Sequence, residues 1–318
     1  MAGSGLDDDD PAAMDLIPLS PEDRAILELE GDHIVGHTCK VVVLDQPLPA
    51  VEVLRSQIES RLDRAPLLRR RLHEGAGGPK WLVEPHLDLG SHVVDSGEAS
   101  TEVELKERIA TIFASPLDRQ RPLWKIDAIS LRGEALALAW RVHHALADGG
   151  TSMRLGEAVL WEVIRSSDES TAGARAAPAT LHHDNERRIG HLSAFLRREF
   201  GESVSRSPFD GEVGSRRSLA FATVSLADLH EAARRAANAT LNEAVLSVVA
   251  GAIRRWLIHH HGSLGSIRLR VPVSLHQQAD DAGNRDSHFT LPVSLDEFDP
   301  VERLRQVHSE SEIGRAHV

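Results

Sequence analysis

Apolar positions recur along this chain with two different periods, and the changes of period mark its elements. Ile26, Leu27 and Leu29 follow Ser20 and Pro21 at helical spacing, with Ser20 suited to cap, Pro21 to open the helix, and Glu22 and Asp23 to favour its positive end. Thr38 to Leu44 is a continuous run rich in β-branched residues, which predicts a buried strand; Val51, Leu54, Ile58 and Leu62 then repeat as a helix does. Glycines 75, 77 and 78 predict a turn, since they do not form Gly-x-Gly-x-x-Gly and no Walker-type lysine follows. Ala135 to Val142 predicts a second strand, and Thr151 to Ile164 a helix with Met153, Leu155, Val159, Leu160 and Val163 on its apolar side. The periodicity then lapses. Residues 166–217 are rich in Ser, Ala, Arg, Glu and Gly, with one amphipathic piece near Leu192 to Phe200, and are expected to be a crossover between domains.

Beyond the crossover, Ser218 to Leu226 reads as extended and a helix is expected from Leu229. Thr240 and Glu243 stand in capping-box register, so each can satisfy a backbone N–H of the other. The helix they open is expected to bury Val245, Leu246, Val248, Val249, Ile253, Trp256 and Leu257. Ile267 to Val273 alternates like a strand, and Pro272 marks it as an edge or a strand end.

Composition narrows the class. A chain of 318 residues, 41% hydrophobic and 26% charged, is long enough for two soluble globular domains. No run approaches the roughly 20 apolar residues of a membrane span, and the start lacks the basic and apolar regions of a signal peptide, which predicts a cytoplasmic protein. A net charge of -12 argues against a nucleic-acid surface. Arg69, Arg70 and Arg71 form the most compact basic run and a conceivable phosphate contact, although a solvated face explains them as well. The acidic start, residues 1–15, is expected to be a disordered tail. Cys39 is the only cysteine, which precludes an internal disulfide, and it reads as a small buried strand residue.

The chemistry concentrates in Arg141-Val-His-His-Ala-Leu-Ala-Asp-Gly-Gly150, where a strand gives way to a helix. His144 and Asp148 have a separation that suits a metal, but no third or fourth ligand stands nearby and there is no His-Glu-x-x-His. A histidine pair satisfied within the core is the bland alternative. It is weakened by a charged Asp148 and paired glycines beside an apolar strand. In the catalytic reading one imidazole takes the proton of an alcohol, Asp148 fixes the loop and Gly149 admits a close approach of backbone or substrate. No Gly-x-Ser-x-Gly is present to supply a serine nucleophile. His182, His183 and His259 to His261 lie in polar or helix-ending contexts and add no motif.

The arrangement resembles the His-His-x-x-x-Asp-Gly motif of the bacterial wax ester synthase/acyl-CoA:diacylglycerol acyltransferase family. Similar pieces occur in the family's order: Pro18 to Glu30, Trp81 to His92, Ser115 to Trp124 with its Pro122-Leu123-Trp124, Thr240 to Leu246, Val271 to Leu275 and Gly283-Asn284-Arg285. The resemblance runs from Leu16 to Leu304 apart from the middle segment. It departs at Glu243, where the family usually has Asp, and at His276, where Arg is common.

The resemblance implies an α/β, two-domain CoA-dependent acyltransferase fold of the chloramphenicol acetyltransferase type, with a tunnel between an N-terminal domain, 16–165, and a C-terminal one, 218–312. It implies a long-chain acyl group moved from acyl-CoA to diacylglycerol or a fatty alcohol, giving triacylglycerol or wax ester. His144 would be the base, His143 its support, and Asp148 and Gly149 the holders of the loop. Pro122, Leu123, Trp124, Asn242, Asn284 and Arg285 would support the tunnel or the domains, although a place at a helix start explains Asn242 equally well. No metal or other cofactor is expected, acyl-CoA being a co-substrate. The lipid substrates make peripheral contact with a membrane or lipid droplet compatible with a cytoplasmic protein. One or two methylenes in an apolar tunnel change selectivity by only roughly 1–3 kcal/mol, which leaves the acceptor open. A condensation-like enzyme with a carrier-bound donor and an inactive lipid-binding protein are the competing readings.

The second domain is also expected to be incomplete. Ile313 to Val318 back-translates as ATC GGA AGA GCA CAC GTC, which matches a common sequencing adapter, so 313–318 is read as adapter rather than protein. A chain cut there is expected to leave strand edges and an apolar helix face uncovered, to aggregate, and to be inactive as it stands.

Overall fold

The computed structural model describes residues 16–75, 77–161, 209, 211–262, 266–274 and 286–315. They fall into two compact units. The first comprises Met1–Ile164, Val213–Phe221 and His276–Arg285; the second comprises Arg165–Glu212, Ala222–Leu275 and Asp286–Val318.

In the first unit the described elements run β1 (Ile17–Pro18), α1 (Pro21–Leu29), β2 (His37–Asp45), α2 (Val51–Glu59), β3 (Arg70–His73), β4 (Lys80–Val83), α3 (Leu89–His92), β5 (Val93–Ala99), α4 (Glu102–Ala114), β6 (Trp124–Leu131), β7 (Ala135–His143) and α5 (Gly149–Leu160). A four-stranded sheet has the order β2-β7-β6-β5, with β7 antiparallel to both neighbours and β5 parallel to β6. A smaller sheet has the order β1-β4-β3. Between β6 and β7 the chain reverses through Arg132 and Gly133, both at positive φ (54° and 70°), a conformation that glycine adopts without a Cβ clash. The central pair is buried nearly throughout, Ile126, Ala128, Leu138, Trp140 and Val142 joining one core with Leu54 and Ile58 of α2 and Leu155 and Val159 of α5.

Three expectations change here. The Thr38 to Leu44 strand forms, but most of it is only half-buried and Val43 is exposed, because β2 is the outer strand of its sheet. Met153 points outward while Leu155, Val159 and Leu160 are buried, and Val163 lies outside the described residues. Ser20 does cap α1, accepting the Asp23 N–H at 3.0 Å, and Gly75 and Gly78 do close a turn between β3 and β4. The arginine run is paired locally, Arg71 with Glu84 at 2.7 Å and Arg69 with Asp63 at 3.5 Å.

The second unit contains α6 (Leu226–Ala237), α7 (Leu241–His261), β8 (Ser266–Ser274), β9 (Asp286–Ser294) and α8 (Pro300–Arg315). The first helix begins three residues before Leu229, because Ser225 caps it through the Asp228 N–H. The capping box at Thr240 and Glu243 forms in both directions. Glu243 is fully buried and its Oε2 also lies 2.9 Å from His308 Nδ1, so the carboxylate that starts α7 ties it to α8. The expected buried stripe of α7 is corrected: Val248 is 60% exposed, and Val245, Val249 and Trp256 are exposed as well. Of the expected stripe Leu257 is buried and Leu246 and Ile253 pack partly buried against the core; the rest of the buried line runs through Ala244, Ser247 and Ala250. Small residues fill that line because α8 packs closely, with Arg303 donating to the Ser247 carbonyl and lying where a Cβ on Gly251 would come within 2.6 Å. The amphipathic start expected at Val301 to Val307 continues to Arg315, burying Leu304, Val307 and Ser311, so Ile313 to Arg315 form the helix's end. Strands β8 and β9 form a two-stranded antiparallel sheet, which makes both of them edges and accommodates Pro272. Among the described residues, no single helix is long and apolar enough to cross a membrane.

Candidate active site

Strand β7 delivers the two histidines. His143 is its last residue and pairs with His37 of β2; its N–H donates to the Leu123 carbonyl at 2.9 Å. The Leu146 and Ala147 amides then fold back onto the His143 carbonyl, and the chain enters α5. Asp148 caps that helix, its Oδ1 accepting the Thr151 N–H at 2.7 Å, with the residue 1% exposed. A carboxylate is favourable at a helix N-terminus, where the unpaired amides and the helix dipole present positive charge. Asp148 thus ties the end of the histidine turn to the first turn of α5.

The histidines differ in their surroundings. His143 is fully buried, and its Nδ1 accepts the Ala145 N–H at 3.1 Å. An acceptor Nδ1 puts the ring proton of the neutral imidazole on Nε2. Nε2 in turn faces Glu30 Oε2 at 3.6 Å, an ion-pair distance longer than a hydrogen bond. His144 is partly exposed, and its N–H donates to the Gly36 carbonyl at 2.7 Å. Of the two residues, His144 is the more exposed.

Glu30, at the end of α1, is buried to 8% side-chain exposure. Oε1 accepts the Gly36 N–H at 3.0 Å and Oε2 accepts Arg119 Nε and Nη2 at 3.0 and 2.8 Å. Burial works to raise its pKa, but the facing His143 ring, the Gly36 amide and the Arg119 guanidinium outweigh it and hold the carboxyl down at about 2. Arg119 also donates to the Leu27 carbonyl, so it fixes the end of α1.

Both sides of β7 brace the turn. On one, Arg141 forms a buried pair with Asp127 at 2.8 Å and donates to the Ile112 and Ser115 carbonyls at the end of α4. His37 lies 3.0 Å from the Phe113 carbonyl through Nε2; burial, then the neighbouring Arg141, lowers its pKa to about 4. On the other, Lys40 Nζ donates to Ser152 Oγ at 2.8 Å inside the first turn of α5. Burial lowers the Lys40 pKa, with Cys39 and Asp148 acting against that shift. Burial also pushes the Cys39 thiol up to about 11, which keeps it protonated.

Pro122, Leu123 and Trp124 are buried. Leu123 holds the His143 amide, while Trp124 donates from Nε1 to the Leu68 carbonyl and stacks on His92 at 4.5 Å. Gly149 is in the first turn of α5, where a Cβ would meet nothing within 4 Å among the described residues, whereas Gly36, beside the histidines, has no room for one. Asn242 is exposed at the second position of α7, in the other unit. Asn284, Arg285 and His276 lie outside the described residues, as do His182 and His183. Glu30 and Arg119 lie within the family-like pieces Pro18 to Glu30 and Ser115 to Trp124, which single out neither of them, and Gly36 and Lys40 lie in none of those pieces. Glu30 and Gly36 meet the histidines, and Lys40 the first turn of α5, across about a hundred residues, and Arg119 meets Glu30 across 89. Among the described residues, no group of three or more His, Cys, Asp or Glu is placed to hold a metal.

The model of the wax ester synthase/diacylglycerol acyltransferase catalytic domain matches residues 19–200. A Mycobacterium tuberculosis protein named "Probable diacyglycerol O-acyltransferase tgs1" is 28% identical over 305 residues, covering 85% of this chain and 64% of its own length. This chain thus spans a little under two thirds of that relative. Among solved structures, the wax ester synthase/diacylglycerol acyltransferase from Marinobacter aquaeolei VT8 superposes with a TM-score of 0.62 at 23% identity, covering 94% of this chain and 72% of the other. The first condensation domain of the calcium-dependent antibiotic synthetase gives 0.58 at 19% identity, covering 95% of this chain and 75% of the other. At these identities the two structures share the fold, a two-domain α/β acyltransferase type, and the family match over more than half of the chain adds membership. The chain belongs to the wax ester synthase/diacylglycerol acyltransferase family.

Proposed function

We propose that the protein is an O-acyltransferase that moves a long-chain acyl group from acyl-CoA to the hydroxyl of diacylglycerol or a fatty alcohol, with His144 as the general base. The observation that carries this reading is the contrast within the histidine pair. The His143 ring is buried, with Nδ1 occupied by the Ala145 amide, whereas His144 is partly exposed at the end of β7, on a turn fixed by Gly36 and by the Asp148 cap. A general base must come within hydrogen-bond reach of the proton it takes, so access favours His144.

In the proposed reaction His144 accepts the proton of the acceptor hydroxyl as its oxygen attacks the thioester carbonyl carbon. The C–O bond forms, the C–S bond breaks as the tetrahedral intermediate collapses, and the imidazolium returns its proton to the CoA thiolate. The acyl group passes directly to the acceptor, with no acyl-enzyme. His143 and Asp148 position the turn, and Pro122, Leu123, Trp124 and Gly149 support it. Asn242, Asn284 and Arg285 are proposed supports of the substrate path. No resident cofactor enters the scheme, and the lipid acceptors make peripheral contact with a membrane or lipid droplet part of the proposal.

The test is an assay of the full gene product with radiolabelled palmitoyl-CoA and, separately, dioleoylglycerol or hexadecanol. Labelled triacylglycerol or wax ester appearing with stoichiometric CoA release is the expected result. Binding of acyl-CoA without CoA release would overturn the proposal in favour of a lipid-binding role. Transfer only from a carrier-bound acyl group would do so in favour of a condensation-like enzyme.

A further inference from the structure

Glu30 is a buried carboxylate that closes the opening helix yet faces the active turn rather than solvent. Three partners converge on it from different parts of the chain: the Gly36 amide, the Arg119 guanidinium and the His143 ring. Gly36 then contributes twice more. Its carbonyl receives the His144 N–H, and its Cα lies so close to His143 that an added Cβ would stand 2.3 Å from Nε2. The segment from Glu30 to Gly36 therefore touches both histidines, the first through a carboxylate and a bare Cα, the second through a carbonyl.

Resting on the reading of His144 as the base, we infer that Glu30 is a positioning residue of the reaction: locked by Arg119, it holds the His143 ring in its Nε2-protonated tautomer and fixes the loop whose Gly36 carbonyl places His144. The tautomer follows from the two ends of the ring. The Ala145 N–H needs a lone pair on Nδ1, and a carboxylate oxygen 3.6 Å from Nε2 stabilises a proton there. Each interaction fixes the protonation of one ring nitrogen, and the two agree on one tautomer. Arg119 matters because a buried carboxylate without a cation is costly, and its fork binds Oε2 through two nitrogens. Glu30 acts through His143 and Gly36 and does not touch the reacting atoms.

The test uses the full gene product labelled with ¹⁵N-histidine, in four forms: parent, Glu30→Gln, Arg119→Lys, and His143→Asn to assign the His143 resonances. In the parent, His143 should show a protonated Nε2 and an unprotonated Nδ1. Glu30→Gln keeps the shape but removes the charge and replaces one of the two acceptor oxygens by an amide N–H, which then faces either the Gly36 amide or the Arg119 guanidinium. It should move the His143 nitrogen shifts toward a mixture of tautomers and lower kcat on the order of 10- to 100-fold, with KM for acyl-CoA and acceptor within about twofold, as expected for misplaced groups rather than lost binding. Arg119→Lys, which keeps the cation but loses the fork, should move both readouts in the same direction and less far, and decides the matter if Glu30→Gln does not fold. Parental kcat, or a fall in kcat with unchanged His143 nitrogen shifts, would overturn the inference. If the parent itself transfers no acyl group, the proposed function fails, while the nitrogen shifts still judge the clamp.

Discussion

Gly36 lies against the imidazole of His143 with no room for a side chain: a Cβ would stand 2.3 Å from Nε2 and 2.7 Å from Cε1. The ring cannot simply swing aside, because the residue is wholly buried and Nδ1 is bound to the Ala145 amide. Nor can the strand retreat freely, because the Gly36 carbonyl holds the His144 amide and its own amide is bound to Glu30.

Gly36→Ala should therefore damage stability and activity together. Overpacking a tight interior costs typically about 1–3 kcal/mol, and whichever partner yields, one of the two histidines moves. Urea unfolding and acyl transfer should both fall, with the nearby exposed substitution Gly31→Ala as a control, since a Cβ at Gly31 meets nothing within 4 Å. A Gly36→Ala protein with parental values in both measurements would show that the contact yields without consequence.

Replacing the histidines should separate chemistry from architecture. His144→Ala removes a partly exposed ring and should cut turnover by about 10²- to 10⁴-fold, the usual contribution of a general base, with a small change in melting temperature. His143→Ala opens a cavity and removes the ring facing a buried carboxylate, so it should cost roughly 1–3 kcal/mol of stability and reduce turnover less. Equal activity of His144→Ala and the parent would sink the base assignment.

Asp148 offers a test of cap against charge. Its Oδ1 accepts the Thr151 amide, a bond that Asn can also make, whereas Ala cannot. Asp148→Ala should lose about 1–2 kcal/mol in chemical denaturation, and Asp148→Asn distinctly less. A loss in Asp148→Asn as large as that in Asp148→Ala would mean that the negative charge, set against Lys40, matters more than the cap.

Much of this frame was legible because it is written locally. A cap and the helix it starts lie within four residues, so Ser20, Thr240 and Glu243 could be read directly, and the strand before the histidines announces itself by an apolar run. Two kinds of error have a common cause. The exposed Val248 and Trp256 of α7, and the half-buried β2, follow from which neighbour covers an element, and periodicity carries no information about neighbours. The clamp around His143 was invisible for the same reason. Glu30 meets Arg119 across 89 residues, and nothing in either residue's immediate sequence requires the other. Gly149, which the motif made conspicuous, has open space around it, while Gly36, in no motif, has none.

The buried pair of Arg141 and Asp127 should be the most expensive single loss near the site. Both residues are almost inaccessible, and Arg141 also closes α4 through two carbonyls. Asp127→Asn leaves the guanidinium without its buried counter-charge, which costs roughly 3–5 kcal/mol. Denaturant midpoints should fall accordingly. A loss under about 1 kcal/mol would mean that the carbonyls of Ile112 and Ser115 suffice to hold Arg141.

Acid should unfold the protein in two stages. His37 and His92 have pKa values lowered to about 4 in the folded state, chiefly by burial, against 6.5 for an exposed histidine. The unfolded chain therefore binds more protons than the folded one between those values, and stability must fall as pH drops from about 6.5 toward 4. Glu30 acts lower down: its folded pKa of about 2 lies below the ordinary 4.5, so the stability it contributes is present above pH 4.5 and is lost as pH falls toward 2. The first stage can be removed while keeping the hydrogen bonds that the rings make. His37 meets the Phe113 carbonyl through Nε2 and His92 meets the Trp124 carbonyl through Nδ1, so His37→Gln and His92→Asn present an amide N–H at the corresponding places. The double variant should show a flatter dependence of urea midpoint on pH between 6.5 and 4 than the parent, with the loss below pH 4.5 that belongs to Glu30 retained. An unaltered slope in that upper window would mean that other groups carry it and that the two buried rings do not resist protonation.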